Sequence, residues 1–231
     1  MPFQAHIRER ARVFLSIALL VPLLVVTGMH FRTGEDPLSP FAWDPDMTSL
    51  QINAANKHAQ MVLLGDSLVE RWSFRQQLWE ELCQPANLGV GGLNTASLLW
   101  LVRSGKLSAF HPKVWVILIG SNDIGAEPPK FWQRRRPSPE RIAAGVGEVV
   151  KTLKERDPGS QVLVTALPRR HGSMEHVVAE TNQALRAQGL DVVDPWGNDA
   201  VLSGDDLHLD NAGYEKWAQS LAQLMQCAPQ S

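Results

Sequence analysis

Cysteine and tyrosine are scarce in this chain, and neither sign of charge prevails. The 231 residues include two cysteines, Cys83 and Cys227, and one tyrosine. Two cysteines are too few for a disulfide scaffold or a four-cysteine zinc site. Basic side chains number 22 and acidic ones 24, a formal net charge of −2. A nucleic-acid binder carries a marked basic excess, so no nucleic-acid partner is expected. No internal repeat and no low-complexity segment is found. Hydrophobic residues at 44% and charged residues at 20% exclude a wholly disordered or collagen-like chain. At roughly 150 residues per domain, the length holds one domain and an extra segment.

The first thirty residues differ from the rest. Arg8, Arg10 and Arg12 precede an uncharged apolar run, VFLSIALLVPLLVVTGM, from Val13 to Met29. As a helix it spans about 25 Å, at the lower edge of what a bilayer core needs. The arginines on its N-terminal side predict an N-in, C-out orientation. No Ala-x-Ala cleavage site follows, and Val26-Thr27-Gly28 is a mediocre substitute. Residues 1–31 are therefore expected to be a membrane-targeting anchor, with a cleaved signal peptide as the alternative. Either way the remainder lies outside the cytoplasmic membrane, in a compartment where Cys83 and Cys227 can pair or stay as two buried thiols. Residues 32–58 are expected to form a tether, since RTGEDPLSPFAWDPD holds three prolines and four acidic residues without a clear period.

From residue 59 to 231 short apolar runs alternate with helical patterns. Met61–Leu64, Pro85–Val90, Val114–Ile119, Gln161–Ala166 and Leu190–Val193 read as strands, with VWVILI the clearest. Asn94–Ser104, Pro139–Arg156, Met174–Gln188 and Asn211–Cys227 carry apolar residues at helical spacing. Ser138-Pro139-Glu140 reads as an N-cap with proline at the first helical position, and Asp157-Pro158-Gly159 as a stop. Continuous apolar strands between helices mean a parallel sheet covered on both faces, a three-layer α/β/α domain. The eight tryptophans stand out against the single tyrosine. Trp72, Trp79, Trp100 and Trp217 fall on helical patterns and are expected in or near the core.

Open α/β sheets hold ligands beyond the carboxyl ends of their strands. There the chain places Gly65-Asp66-Ser67-Leu68, then Gly89-Val90-Gly91-Gly92-Leu93-Asn94, then Gly120-Ser121-Asn122-Asp123, and last Asp205-Asp206-Leu207-His208. Acyl transfer needs a nucleophile, a base, an orienting group and oxyanion donors. Ser67, at a strand-to-helix junction, projects its hydroxyl into the crevice and presents its N–H at a helix start. His208 follows Asp205 by three residues, so in a turn the carboxylate reaches one imidazole nitrogen while the other faces the serine. Gly92 lets its backbone N–H approach a substrate oxygen, and Asn122 supplies a neutral NH₂ donor. Each block alone is an ordinary turn, or for the histidine a surface residue. Their order, each just after a strand, carries the weight.

These blocks resemble the GDSL esterase/lipase family, the SGNH hydrolases, named for a Ser, a Gly, an Asn and a His in separate blocks. LLGDSLVERW carries Ser67, NLGVGGLNT carries Gly92, IGSND carries Asn122, and DDLHLDNAGY carries Asp205 and His208. The resemblance covers about residues 61–220. It implies a flavodoxin-like sheet of five parallel strands and hydrolysis of an ester through an acyl-serine, without metal or organic cofactor. It implies Ser67 as nucleophile, His208 as general base and then acid, and Asp205 as its orienter. The implied oxyanion donors are Ser67, Gly92 and Asn122. The substrate classes range over acetylated glycans, lipids and small molecules, with a leaning to short O-acetyl esters. A lipase or lysophospholipase at the membrane, an envelope-glycan acyltransferase and a non-catalytic binding module are the alternatives.

Rival motifs fail. No Gly-x-Ser-x-Gly occurs, so the α/β-hydrolase nucleophile elbow is absent. Gly89-x-Gly91 continues without the third glycine of a dinucleotide fingerprint. A metal site at Asp205, Asp206, His208 and Asp210 is a minor alternative, because one short turn rarely closes a coordination sphere. The long segment Glu127–Pro139, EPPKFWQRRRPSP, reads either as a flap gripping an anionic or glycan substrate through Trp132, Arg134 and Arg135, or as a solvated basic loop. The turn Leu167-Pro168-Arg169-Arg170-His171 is a second pocket-lining position. His171 and His176 are expected at the surface rather than in catalysis.

Overall fold

In the computed structural model, residues 52–74, 85–125 and 136–223 are described. The apolar run at 13–29, both cysteines, Trp79, and the flap residues Trp132, Arg134 and Arg135 lie outside them. Among the described residues no helix is long and apolar enough to cross a membrane.

Five strands form one parallel sheet in the order β2-β1-β3-β4-β5. They are β1 (Met61–Gly65), β2 (Ala86–Gly89), β3 (Val114–Leu118), β4 (Gln161–Thr165) and β5 (Val192–Val193). This is the expected flavodoxin-like α/β fold, with the order reversing between β1 and β3, where such sheets bind ligands. The register sets Gly65 opposite Gly89 on one side and Leu118 on the other. The loops after β1, β2 and β3 thus leave one edge of the sheet. The Asp205–His208 loop does not follow a strand directly: β5 ends at Val193, and the loop reaches the site through the Ser67–His208 contact. Gly65 is needed there for contact, since a Cβ would sit 2.1 Å from the Leu118 carbonyl oxygen.

Strands β1 and β3 read as unbroken apolar runs because both of their faces are buried. Val62, Leu64, Trp115, Ile117, Val162 and Val164 face one layer. Met61, Leu63, Val114, Val116, Leu118 and Leu163 face the other. The first layer is covered by α2 (Thr95–Arg103) and α4 (Pro139–Arg156) through Leu98, Leu101, Val146, Val149 and Leu153. Helix α4 keeps its expected bounds: Ser138 accepts from the Arg141 N–H, Pro139 opens the helix, and Asp157 ends it. The second layer is covered by α1 (Ser67–Glu70) and α6 (Asn211–Ala222), with Val177 and Val178 from α5 (Glu175–Ala187). A short α3 (Ser121–Ile124) follows β3.

Trp72 and Trp217 are fully buried, with ring centroids 4.3 Å apart and Tyr214 beside them. The Tyr214 hydroxyl donates to the Leu68 carbonyl at 2.8 Å, so α6 braces α1 from behind. Trp100 departs from expectation: it is 44% exposed, because Leu98, Leu101 and Val102 take the inward stripe of α2 and leave position 100 outside. The segment read as a tether is described from Ile52 onward, and there it packs: Ile52 and Ala55 join the first core layer. Lys57 lies 4.8 Å over the Phe110 ring and caps backbone carbonyls at Ala55 and Asn53.

Candidate active site

Asp66 terminates β1 and caps α1. Its side chain accepts from the Leu68 N–H at 2.9 Å, which fixes the turn and leaves Ser67 as the first helical residue. The Ser67 N–H is among the helix-terminal donors that lack an intrahelical acceptor. The Ser67 Oγ lies 2.9 Å from His208 Nε2. On the far side of the ring, His208 Nδ1 lies 2.6 Å from Asp205 Oδ2. An ionised carboxylate only accepts, so Nδ1 carries the hydrogen and Nε2 is left to accept from the serine hydroxyl.

The loop bearing this pair is a narrow excursion closed at its base by a Leu202–Leu209 bridge and by the Ser203 N–H donating to the His208 carbonyl. Asp205 Oδ1 collects the N–H groups of Leu207 and His208 and the Ser203 hydroxyl. The spacing of three residues works because one carboxylate both makes the turn and holds the ring. Partial burial pushes the Asp205 pKa up, but those hydrogen bonds, with the one to the imidazole, outweigh it and hold the group well below the ordinary carboxylate range. The Arg71 guanidinium stands 4.0 Å from the same carboxylate. Asp206 faces His171 instead, and Asp210 caps α6 by accepting from Gly213. The acidic residues of this loop thus point to three different tasks.

Gly92 has φ +78, and nothing lies within 4 Å of where its Cβ would be. The glycine is demanded by the left-handed turn rather than by crowding. Gly89 serves contact instead, since its Cβ would sit 2.2 Å from the Glu70 nitrogen. Asn122 Nδ2 donates to the Leu93 carbonyl at 2.9 Å and, at a longer 3.3 Å, to Asp66 Oδ2. The amide that the sequence offers as an oxyanion donor is thereby oriented between the second and first blocks.

Beneath these residues lie two buried carboxylates, Asp66 and Asp123, whose motifs carry no sign of their burial. Burial, with a smaller contribution from Asp123, raises the Asp66 pKa to about 7, against the hydrogen bond from Leu68. Burial raises Asp123 to about 6, although its Oδ2 accepts from both the N–H and the hydroxyl of Thr95. His171 is exposed, as expected, while Arg170 beside it is buried and bonded to the loop of Asp205 and His208.

Residues 63–216 match the model of the GDSL-like Lipase/Acylhydrolase family. The chain is similar to platelet-activating factor acetylhydrolase IB subunit alpha2 of Homo sapiens, 26% identical over 213 residues, covering 84% of this chain and 88% of that one. Among solved structures it is similar to a putative acylhydrolase from Bacteroides fragilis, with TM-score 0.58, 19% identity, and coverage of 78% of this chain and 95% of that one. A carbohydrate acetylesterase from Sinorhizobium meliloti gives TM-score 0.57 and 17% identity, covering 71% of this chain and 97% of that one. These two structural likenesses are likenesses of fold.

Proposed function

We propose that this chain, which belongs to the GDSL-like lipase/acylhydrolase family and is an ester hydrolase, cleaves short acyl esters, foremost O-acetyl esters, through an acyl-serine. The observation that carries the reading is the continuous relay from Ser67 Oγ through His208 to Asp205, at 2.9 and 2.6 Å.

Ser67 Oγ attacks the ester carbonyl carbon while its proton passes to His208 Nε2. Asp205, ionised at every working pH, stabilises the imidazolium. The carbonyl oxygen, now anionic, is received by the N–H groups of Ser67 and Gly92 and by the Asn122 amide. An entering oxyanion competes for Asn122 with Asp66, whose bond is the longer of the two that the amide makes. Collapse of the tetrahedral species expels the alcohol, which takes the proton from His208. Water then attacks the acyl-serine, gives its proton to His208, and releases the acid as Ser67 recovers its hydrogen.

The acetyl preference is supported by the likeness to a platelet-activating factor acetylhydrolase subunit and to a carbohydrate acetylesterase. An envelope glycan or a small molecule is the alcohol component proposed. The apolar run at 13–29 supports an extracytoplasmic enzyme held at the membrane by its N-terminus. The test uses the full chain in detergent, a fluorophosphonate probe, and p-nitrophenyl esters of increasing acyl length. Labelling and acetyl-ester hydrolysis that both vanish in Ser67→Ala are expected. Activity that rises with chain length would replace the acetyl reading with a lipase, and a fully active Ser67→Ala would overturn the mechanism.

A further inference from the structure

We propose that Arg170 is a positioning residue that keeps the His208 loop registered against the oxyanion loop during deacylation. The inference rests on the acyl-serine reading above.

Arg170 follows β4 and is only 7% exposed. Its Nε donates to the Asp206 carbonyl at 2.9 Å, and its Nη1 donates to the Gly125 carbonyl at 2.7 Å. Asp206 is the neighbour of Asp205. Gly125 ends α3, the turn that carries Asn122. One planar guanidinium therefore spans the loop of the base and the loop of the oxyanion amide. Two carbonyls in different directions suit the fixed fork of arginine, where a lysine ammonium on its flexible stem has no such fixed geometry.

The Asp206 backbone supports the same conclusion. Its φ of 52 makes it the single positive-φ residue other than glycine among the described residues. Such a conformation persists where its surroundings over-determine it. Here the restraint is a collar: the Asp206 carboxylate accepts from the His171 N–H at 3.1 Å and pairs with His171 Nδ1 at 2.6 Å. The same carboxylate lies 3.9 Å from Arg170 Nε, so the buried cation has a counter-ion.

The catalytic cycle creates the need for this link. Ser67 and Asn122 are joined through Asp66, and His208 is joined to Asp205. The Ser67–His208 hydrogen bond connects the two groups in the resting enzyme. Once Ser67 Oγ is esterified it has no hydrogen to donate, and that bond is gone. His208 must still receive a proton from the attacking water at the same place. The Arg170 bridge to Asp206 and Gly125 does not depend on the serine hydroxyl and persists through the acyl-enzyme.

The experiment compares the full-length wild type, Arg170→Lys, Arg170→Gln and His171→Ala with p-nitrophenyl acetate, by steady-state and stopped-flow kinetics. In the Arg170 variants kcat should fall by about 10–100-fold, the scale of a small misplacement of a catalytic group. KM should fall in proportion, leaving kcat/KM within about threefold, because acylation still has the Ser67–His208 bond to align it. A burst approaching one p-nitrophenol per enzyme should appear as the acyl-enzyme accumulates, while the fluorophosphonate labelling rate stays near wild type. His171→Ala alters an exposed side chain and should show the same signature at smaller size. A parallel loss of kcat and kcat/KM without a burst would overturn the inference, since a merely structural role lowers both steps. Unchanged kinetics in these variants, with Ser67-dependent wild-type activity, would overturn this inference alone. A wild type without Ser67-dependent activity would overturn both readings.

Discussion

Two carboxylates flank the Ser67–His208 pair, one on each side, and are tuned in opposite directions. Asp66, one residue before Ser67, is fully buried, and its pKa is raised to about 7. Asp205, on the last loop, is half-exposed, wrapped in donors, and held below the ordinary range. One chemical group thus does two jobs. The wet, well-bonded carboxylate stays charged and holds the His208 ring, while the dry one shapes a turn and orients an amide. What separates them is depth and donor count rather than residue type.

Removing the charged member should strike activity and spare the fold. Asp205→Ala is expected to lower kcat/KM for an acetyl ester by about 10²–10³-fold, since His208 loses both its tautomer control and its countercharge. Its thermal midpoint should stay within a few degrees of wild type, because the side chain is half-exposed. A loss below tenfold would mean that another group orients His208. Altering the buried member should instead appear in the pH dependence of stability. An acid whose pKa is higher folded than unfolded binds its proton more tightly when folded, so Asp66 favours the fold most below about pH 4. That contribution, on the order of a few kcal/mol, is lost as pH rises from about 4 to 7. Asp123 acts in the same sense, between about 4 and 6. Urea titrations from pH 4 to 8 should therefore show a decline in wild type and a shallower one in Asp66→Asn. Equal slopes would mean that Asp66 is ionised throughout.

The contrast between these two residues also marks where sequence reading stops. Strands β1 and β3 were the most legible because both of their faces are buried and their apolar runs are unbroken, whereas β2 carries Asn87 and β5 is two half-buried valines. Helix α4 was legible because Ser138, Pro139 and Asp157 act locally. The Asp205–His208 pair was legible because it closes within one turn. The charge state of Asp66 was not, since it depends on how many layers lie above it. Arg170 was seen only as part of a turn after β4, because its partners are the carbonyls of Asp206 and Gly125. A carbonyl has no letter in the sequence. The outward turn of Trp100 was missed for a related reason: a helical period shows that a stripe exists, and the phase against the sheet decides which residues occupy it.

Arg71 supplies the finest test of the comparison. It is half-exposed, and its guanidinium approaches Asp205 at 4.0 Å, the outer limit of an ion pair. Water around both groups screens the attraction, and pairs of this kind contribute about 0–1 kcal/mol. If the Asp205 charge is held by its own four donors, Arg71→Ala should change kcat by less than about threefold and leave the stability nearly unaltered. Adding salt to the wild type should be equally mild, since it screens the same exposed pair. A tenfold fall in kcat, matched in wild type by raising the ionic strength, would show that the arginine maintains the carboxylate charge. Asp205 would then depend on its surroundings as closely as Asp66 does, through a neighbouring cation in place of depth.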